Sequence, residues 1–200
     1  DKAEEKFLFI ETLRGNYYRV LAYVAKQDIT SLYEGKKENS SRIQSTEVEE
    51  VADDFHARFK AVGRGYIYRI LNRRAPTVLL KYRVWCVGYP LDVEKMKEGA
   101  KYLLGHHDFS SFRGAGCQAL SPMKTLDKLE ILQNGDEIDF IVEARSFLYH
   151  QVRNMVGTLK CVGDGKFAPV DVKKIIEAKD RAVAGPTAPA CGLYLSKVMY

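Results

Sequence analysis

The segment TLDKLEILQNGDEIDFIVEA, residues 125–144, constrains the fold more than any other part of the chain. Apolar and polar residues alternate on both sides of Asn134-Gly135. A period of two is typical of a strand with one buried face, and an Asn-Gly pair favours the tight turn of a hairpin. The segment therefore predicts two antiparallel strands, against which the other elements have to pack.

Local patterns predict four further elements. Residues 65–71, GYIYRIL, are aromatic and β-branched and predict a strand with Tyr66, Tyr68 and Ile70 on one face. A helix should begin at the good N-cap Asp92, and its apolar residues recur at helical spacing before Gly105 ends it: Val93, Met96, Ala100, Leu103 and Leu104. A short helix around VDVKKIIEAKD and a final strand around GLYLSKVMY complete the chain.

A single arginine stands in an otherwise apolar helical segment, SFLYHQVRNMVG, residues 146–157. After an opening turn, an apolar stripe is formed by Leu148, Val152, Met155 and Leu159. A second, polar face is formed by His150, Arg153, Asn154 and Gly157. Because a guanidinium keeps its charge and an isolated buried charge costs roughly several kcal/mol, Arg153 needs a partner, solvent or both. The small Gly157 allows another segment to approach this face closely.

The order of these elements predicts an α+β fold with a mostly antiparallel sheet flanked by helices. The first 48 residues are harder to interpret. Residues 33–48, YEGKKENSSRIQSTEV, are polar and rich in turn-forming residues, which predicts a loop or linker.

Composition narrows the class of protein. The formal net charge of +5 permits an RNA or DNA partner without requiring one. No run approaches the roughly 20 apolar residues of a membrane span, and the N-terminal DKAEEKFLFIETLRG is too charged for a secretory signal, so a cytoplasmic protein is expected. The cysteines lie far apart, which fits neither a zinc ribbon nor a disulfide framework. We expect four reduced and buried thiols, at Cys86, Cys117, Cys161 and Cys191.

Several residues have a plain structural interpretation as well as a functional one. Tyr66 and Tyr68 fit ordinary core aromatics of a strand, and Leu193 by itself is an apolar strand residue. Arg153 fits a structural buried pair or a side chain that reaches the surface. The run His106-His107-Asp108 does not predict a metal site, because adjacent histidines point in different directions and no third ligand is suitably spaced. His56 and His150 are predicted to be hydrogen-bonded residues rather than catalysts.

Six segments of the chain occur in an order that resembles a known family: DDFHARF, RGYIYRILNR, YLLGHHDFSSFR, SFLYHQVRNMVG, AKDR and APACGLYL. Together they resemble the C-terminal half of the TruA family of tRNA pseudouridine synthases, over roughly residues 50–200. The resemblance implies a pseudouridine-synthase-like fold. It divides the chain into an N-terminal segment and linker, residues 1–48, and a C-terminal synthase domain, residues 49–200.

Members of this family convert uridine to pseudouridine in the anticodon stem-loop of tRNA, as homodimers and without a cofactor or catalytic metal. The resemblance therefore implies tRNA and a second copy of the chain as partners. It places at Tyr66 the tyrosine that stacks on the flipped base and takes part in proton transfer. It places at Arg153 the arginine that pairs with the catalytic aspartate, and at Leu193 a wall of the uracil pocket.

Basic residues in or beside loop-like segments are candidates for contact with RNA phosphates. They are Arg58, Arg64, Arg113 and Lys124.

The sequence departs from the family pattern at the catalytic aspartate. The family carries it in an R-T-D-A-G-V-H segment, and no such segment occurs in these 200 residues. Asp53 and Asp54 correspond to a non-catalytic pair in the family, and Asp164 lacks the preceding Arg-Thr. Three functions remain open: an enzyme whose aspartate comes from a missing segment, a tRNA-binding module without turnover, and a protein-interaction scaffold.

Overall fold

The structure, a computed structural model, describes residues 5–11, 17–23, 56 and 60–200. These residues fall into two compact units. One contains two strands, β1 (Glu5–Glu11) and β2 (Tyr17–Tyr23), which pair antiparallel. The other contains Val62–Tyr200. The linker predicted at residues 33–48 and the candidate Arg58 lie outside the described residues.

A six-stranded sheet organises the second unit. Its strands are β3 (Gly63–Asn72), β4 (Trp85–Val87), β5 (Gly105–Asp108), β6 (Met123–Asn134), β7 (Glu137–Ala144) and β8 (Leu193–Met199). The order is β4-β3-β7-β6-β5, and β8 also pairs with β3. The pairing of β3 with β4 is parallel and the other pairings are antiparallel. The prediction of an α+β fold with a mostly antiparallel sheet is confirmed.

Three helices share the core with one face of the sheet: α1 (Val93–Ala100), α2 (Gln151–Gly163) and α3 (Asp171–Ala178). The face is set by the alternation along β7, because Ile138, Phe140 and Val142 are fully buried while the residues between them are not. The predicted stripe Leu148, Val152, Met155 and Leu159 is buried in this core.

The predicted hairpin is confirmed, with its loop displaced by one residue. Asn134 pairs with Glu137, so the two loop residues are Gly135 and Asp136. Gly135 has φ +58°, and Asp136 does not share a positive φ. A positive φ at only the first loop residue is the type II′ pattern, which favours Gly at that place.

The helix predicted from Asp92 is confirmed at its start and shorter at its end. The Asp92 carboxylate accepts the Lys95 N–H at 3.1 Å, as an N-cap does. The α-helix ends at Ala100 and a 3₁₀ turn continues over Lys101–Leu103. The tighter turn changes the angular spacing of the side chains, and Leu104 is 38% exposed instead of buried.

The prediction that the four cysteines are buried is wrong for three of them. The four thiols are free, and Cys161 on α2 is buried as expected. Cys86 is exposed because it lies on the short edge strand β4, where Val87 faces the core and its neighbour must face away. Cys117 and Cys191 lie in connecting segments and are partly buried.

Among the residues that the structure describes, no helix has the length and apolar character that crossing a bilayer requires.

Candidate active site

Tyr66 and Leu193 lie on the helix-covered face of the sheet. Tyr66 pairs across β3 and β7 with Val142, which is fully buried, so the two side chains share that face. Leu193 on β8 lies opposite Tyr68 on β3. Both Tyr66 and Leu193 are partly buried and pack against the core. The predicted alternation of Tyr66, Tyr68 and Ile70 on one face is confirmed.

The Tyr66 ring lies at a local irregularity of the sheet. The register between β3 and β8 shifts between Gly65 and Tyr66. The ring meets Phe147 edge to face, with centroids 5.3 Å apart and planes at 82°. Phe147 belongs to the turn before α2 and was not singled out in the sequence. The sequence feature that could have indicated its role is its position just before the helical segment that carries His150 and Arg153.

Tyr68 is a core residue with one polar contact. Its side chain is fully buried and its hydroxyl donates to the Pro189 carbonyl at 2.6 Å. Burial raises the pKa of the hydroxyl far above its ordinary value, with Cys191 acting in the same direction and the Arg153 charge opposing both. Tyr68 therefore stays neutral, and the structural interpretation applies to it.

Arg153 projects from α2 towards the segment before β8. Its Nε donates to the Ala188 carbonyl at 2.6 Å, next to the carbonyl that Tyr68 uses. Its Nη1 lies 3.1 Å from His150 Nε2. Within the described residues no carboxylate pairs with Arg153, and its Nη2 has no hydrogen-bond partner there. The guanidinium is thus held at two of its three nitrogens, and no carboxylate of the described residues compensates its positive charge.

His150 holds the second of these two nitrogens, Nη1. It precedes α2 with φ +60°, a left-handed conformation, and its ring stacks on Tyr149 with centroids 3.8 Å apart. Burial, and then the charge of Arg153, lowers the pKa of His150. A neutral ring can accept the Arg153 N–H at Nε2, as the contact requires. The prediction that His150 is a hydrogen-bonded residue is confirmed.

Gly157 explains how the segment 185–189 reaches Arg153. A Cβ at Gly157 would overlap the carbonyl oxygen of Pro186, so only glycine allows this approach. The Thr158 hydroxyl accepts the Gly185 N–H at 2.9 Å. The Ala188 N–H donates to the Arg153 carbonyl at 3.1 Å, so these two residues are bonded in both directions.

Asn154 holds two further segments against α2. Its amide donates to the Phe112 carbonyl at 2.8 Å, and its carbonyl accepts from Thr187 at 2.7 Å and from Arg181 at 3.2 Å. The side chain is fully buried and its polar atoms are satisfied. Because Thr187 immediately precedes Ala188, the contact with Asn154 helps to hold the Ala188 carbonyl in place. The polar face predicted on α2 thus anchors the segment 185–189.

The described candidates for RNA contact lie in different environments. Arg64 donates to the Arg145 carbonyl at 2.8 Å. Arg113 donates to the Cys117 and Ala119 carbonyls at 2.9 and 2.7 Å, which ties down its own loop. Lys124 is partly buried on β6, opposite His107. Their contact with RNA stays a prediction.

The two adjacent histidines contact different parts of the chain. His106 Nδ1 contacts the Thr125 hydroxyl at 2.9 Å, and His107 Nε2 contacts the Leu104 carbonyl at 2.7 Å. In the described part of the chain, no three His, Cys, Asp or Glu side chains are grouped as metal ligands would be.

Comparison with known proteins identifies the family to which the chain belongs. Residues 100–200 match the model of the tRNA pseudouridine synthase family. The chain belongs to the tRNA pseudouridine synthase family, and the resemblance recognised in its sequence is confirmed.

Relatives named tRNA pseudouridine synthase A are similar over about three quarters of the chain. The protein from Paramagnetospirillum magneticum is 63% identical over 150 residues, which is 75% of this chain and 59% of the relative. That from Rhodospirillum centenum is 57% identical over 153 residues, 76% of this chain and 62% of the relative. The protein from Rhodospirillum rubrum is 56% identical over 151 residues, which is 76% of this chain and 54% of the relative. The chain spans somewhat more than half the length of these relatives.

Proposed function

We propose that this chain supplies the arginine side of the active site of a tRNA pseudouridine synthase, acting on uridine in the anticodon stem-loop. The observation that carries the proposal is the state of Arg153. Its Nε and Nη1 are fixed by Ala188 and His150, while no carboxylate of the described residues neutralises it. A guanidinium held in this way is ready to pair with a carboxylate through its remaining N–H groups.

The catalytic aspartate would be that carboxylate. It must stay ionised in a pocket that excludes water, and a neighbouring guanidinium lowers the pKa of a carboxyl group. In the proposed reaction the N1–C1′ glycosidic bond of uridine breaks, the base turns, and C5 bonds to C1′. The C5–H bond then breaks and its proton is released, while N1 takes up a proton. The chain provides Arg153 to hold the aspartate, and no cofactor or metal is needed.

Tyr66 and Leu193 would form the pocket for the flipped base. A base that leaves its stack loses stacking energy, and an aromatic ring and an apolar wall replace part of it. Tyr66 and Leu193 lie on the face of the sheet that α2 covers, and Arg153 belongs to that helix. The Tyr66 ring is packed edge to face against Phe147. The Tyr66 hydroxyl is proposed to take part in proton transfer.

The wider setting of the protein also belongs to the proposal. We infer that it works on tRNA in the cytoplasm as a homodimer, with residues 49–200 as the C-terminal part of the synthase and residues 1–48 as a separate segment. Arg58, Arg64, Arg113 and Lys124 are proposed to contact the tRNA backbone. The net charge of +5 and the names of the relatives support an RNA partner.

A tRNA-binding module without turnover is the second candidate. The 200 residues contain no R-T-D-A-G-V-H segment, and a protein that carried none elsewhere would be such a module. Such a module would keep the Arg153 pocket and bind tRNA with a strong dependence on salt, because phosphate contacts release counterions.

A chimera separates the two candidates. The 150 matched residues of the Paramagnetospirillum relative are replaced with those of this chain, so that the relative supplies the aspartate. Release of tritium from tRNA labelled at C5 of uridine is then measured, alongside tRNA binding by the unmodified chain. We expect the chimera to release tritium. A chimera that folds and binds tRNA without turnover would support the binding module instead, and a chain that does not bind tRNA at low salt would contradict both.

A further inference from the structure

The connection between β3 and β4, residues 73–84, has an unusual composition. Its sequence, RRAPTVLLKYRV, contains four cationic residues and no Asp or Glu. In the structure Arg74, Lys81 and Arg83 are exposed, and within the described residues they make no ion pair. The positive charge of this connection is therefore directed at solvent.

The same connection exposes large apolar side chains. Val78 is 86% exposed, Leu79 88% and Tyr82 71%. Tyr82 has φ +65°, a conformation that costs a residue with a Cβ some free energy, and Lys81 Nζ lies 5.2 Å from the centroid of its ring. An exposed aromatic ring beside exposed cations is not required by the core of this unit.

Two contacts attach the connection to β8, which begins at Leu193, and to the 3₁₀ turn before it. The Tyr194 hydroxyl donates to the Arg83 carbonyl, and the Cys191 thiol to the Val84 carbonyl at 3.4 Å. Because Cys191 and Tyr194 flank Leu193, the base of the connection is joined to one wall of the proposed pocket. The connection is therefore anchored at its C-terminal end, beside the strand that carries Leu193.

Charge decides which kind of partner fits this surface. A second copy of a chain with net charge +5 would meet it with a like charge unless an acidic patch lay opposite, whereas a polyanion would be attracted. Single-stranded nucleic acid combines phosphates for the cations with bases that stack on an aromatic ring. We propose that the β3–β4 connection is an RNA-binding surface, with Tyr82 stacking on an unpaired base and Lys81 and Arg83 contacting the adjacent phosphates.

This inference rests on the tRNA-binding part of the proposed function. It adds a second RNA-binding surface, which lies outside the pocket for the flipped base. It is tested on the 200-residue chain by fluorescence anisotropy with a tRNA transcript over a series of salt concentrations. Tyr82→Ala should weaken binding about 5- to 150-fold with the salt dependence unchanged, and Tyr82→Phe should bind as the wild type does. The double variant Lys81→Gln/Arg83→Gln should reduce the slope of log K against log salt by about 1 to 2.

Matched control variants remove an exposed apolar side chain and a pair of exposed cations from other surfaces. Leu132→Ala truncates an exposed apolar residue on β6, and Lys173→Gln/Lys174→Gln removes two cations from α3. Neither should change affinity as the β3–β4 variants do. Equal affinities for wild type, Tyr82→Ala and Lys81→Gln/Arg83→Gln would overturn the inference while leaving the pocket proposal intact. The inference would also be overturned if these variants lost the dimer, as measured by light scattering, while their affinity for tRNA stayed unchanged. That result would assign the surface to contact with a second copy of the chain. A wild-type chain that does not bind tRNA overturns both proposals.

Activity gives an independent readout. In the chimera described above, Tyr82→Ala should raise KM for tRNA and leave kcat close to that of the parent chimera, since Tyr82 is proposed to bind RNA rather than to touch the reacting base. An equal loss in kcat with unchanged KM would count against the assignment.

Discussion

His150 governs how Arg153 presents its guanidinium. The neutral ring accepts an N–H from Arg153, but a protonated ring carries N–H groups on both nitrogens and cannot accept. Protonation would also place two cations about a hydrogen-bond length apart. The groups that face His150 are Arg153 on its own helix and the stacked Tyr149, with Gly114 packed against its Cβ.

We expect the pKa of His150 to rise in Arg153→Gln, because a nearby cation is removed, and to stay below its ordinary value, because burial remains the larger cause. In the folded chain this pKa is lowered, so the unfolded state binds the proton more readily, and His150 should cost stability as pH falls below about 6.5. NMR titration of the four histidine rings measures the shift directly. An unchanged His150 titration in the variant would show that the contact with Arg153 does not form.

Gly157 controls the position of the segment that Arg153 uses. In Gly157→Ala the new methyl group would meet the Pro186 carbonyl, so the segment 185–189 must move away from α2. We expect a loss of about 1–3 kcal/mol in the free energy of unfolding, typical of overpacking, and weaker turnover in the chimera. Denaturant unfolding measures the first effect. Gly88→Ala is the control, since nothing lies within 4 Å of its added Cβ.

The site was predictable from sequence only in part. Helical spacing gave the polar face of α2, including Gly157 as a place of close approach, because those positions depend on local geometry. It did not indicate that Arg153 would be held by the Ala188 carbonyl, 35 residues away, or that Phe147 would orient Tyr66. Contacts of this kind depend on how the segment 185–189 crosses α2, which no local pattern specifies.

At the scale of elements, α2 ends on a nearly buried ion pair. Lys160 and Asp164 are one helical turn apart with Nζ and Oδ2 separated by 2.7 Å, and their side chains are 8% and 7% exposed. Burial raises the pKa of Asp164, and the hydrogen bonds and charges of Lys160 and Lys166 outweigh it, so the pKa is lowered in total. The pair fixes the end of the helix that carries Arg153.

Asp164→Asn should destabilise the fold by about 3 kcal/mol, because it leaves the Lys160 charge without its partner. The double variant Lys160→Met/Asp164→Leu should lie much closer to the wild type at neutral pH. Because the folded pKa of Asp164 is lowered, its contribution is complete above about pH 4 and is lost as pH falls through the folded pKa. Urea unfolding at several pH values tests this. A wild type and an Asn variant with the same acid dependence would contradict the role of the pair.

Sequence patterns predicted the long strands of the sheet but not the shortest ones. The β6–β7 hairpin has 12 and 8 residues in its strands, enough for alternation to be visible. The edge strands β4 and β5 have only 3 and 4 residues and are defined by the neighbours they pair with, so the sequence predicted neither. β4 is also the parallel strand, which requires the crossover through residues 73–84.

On the scale of the whole molecule, the six-stranded sheet brings together segments that are far apart in the sequence. β3 is paired with β7 on one side and with β4 and β8 on the other, so Tyr66 and Leu193 lie on one face of adjacent strands although they are far apart in the chain. The α+β class followed from the order of elements, but this threefold pairing of β3 did not. This pairing of β3 with three strands places the segment before β8 on the same face of the sheet as α2.

The central claim is that Arg153 holds a catalytic carboxylate through its planar fork of N–H groups. The most direct measurement is tritium release by the chimera with Arg153→Lys, which keeps the charge and loses the fork. Arg69→Lys is the matched control, because Arg69 makes a two-pronged contact with Asp139 on the opposite face of the sheet, with distances of 2.7 and 2.8 Å. We predict that Arg153→Lys folds and binds tRNA but loses turnover by at least about 100-fold, whereas Arg69→Lys remains active. Near-normal turnover in a folded Arg153→Lys chimera would contradict the account.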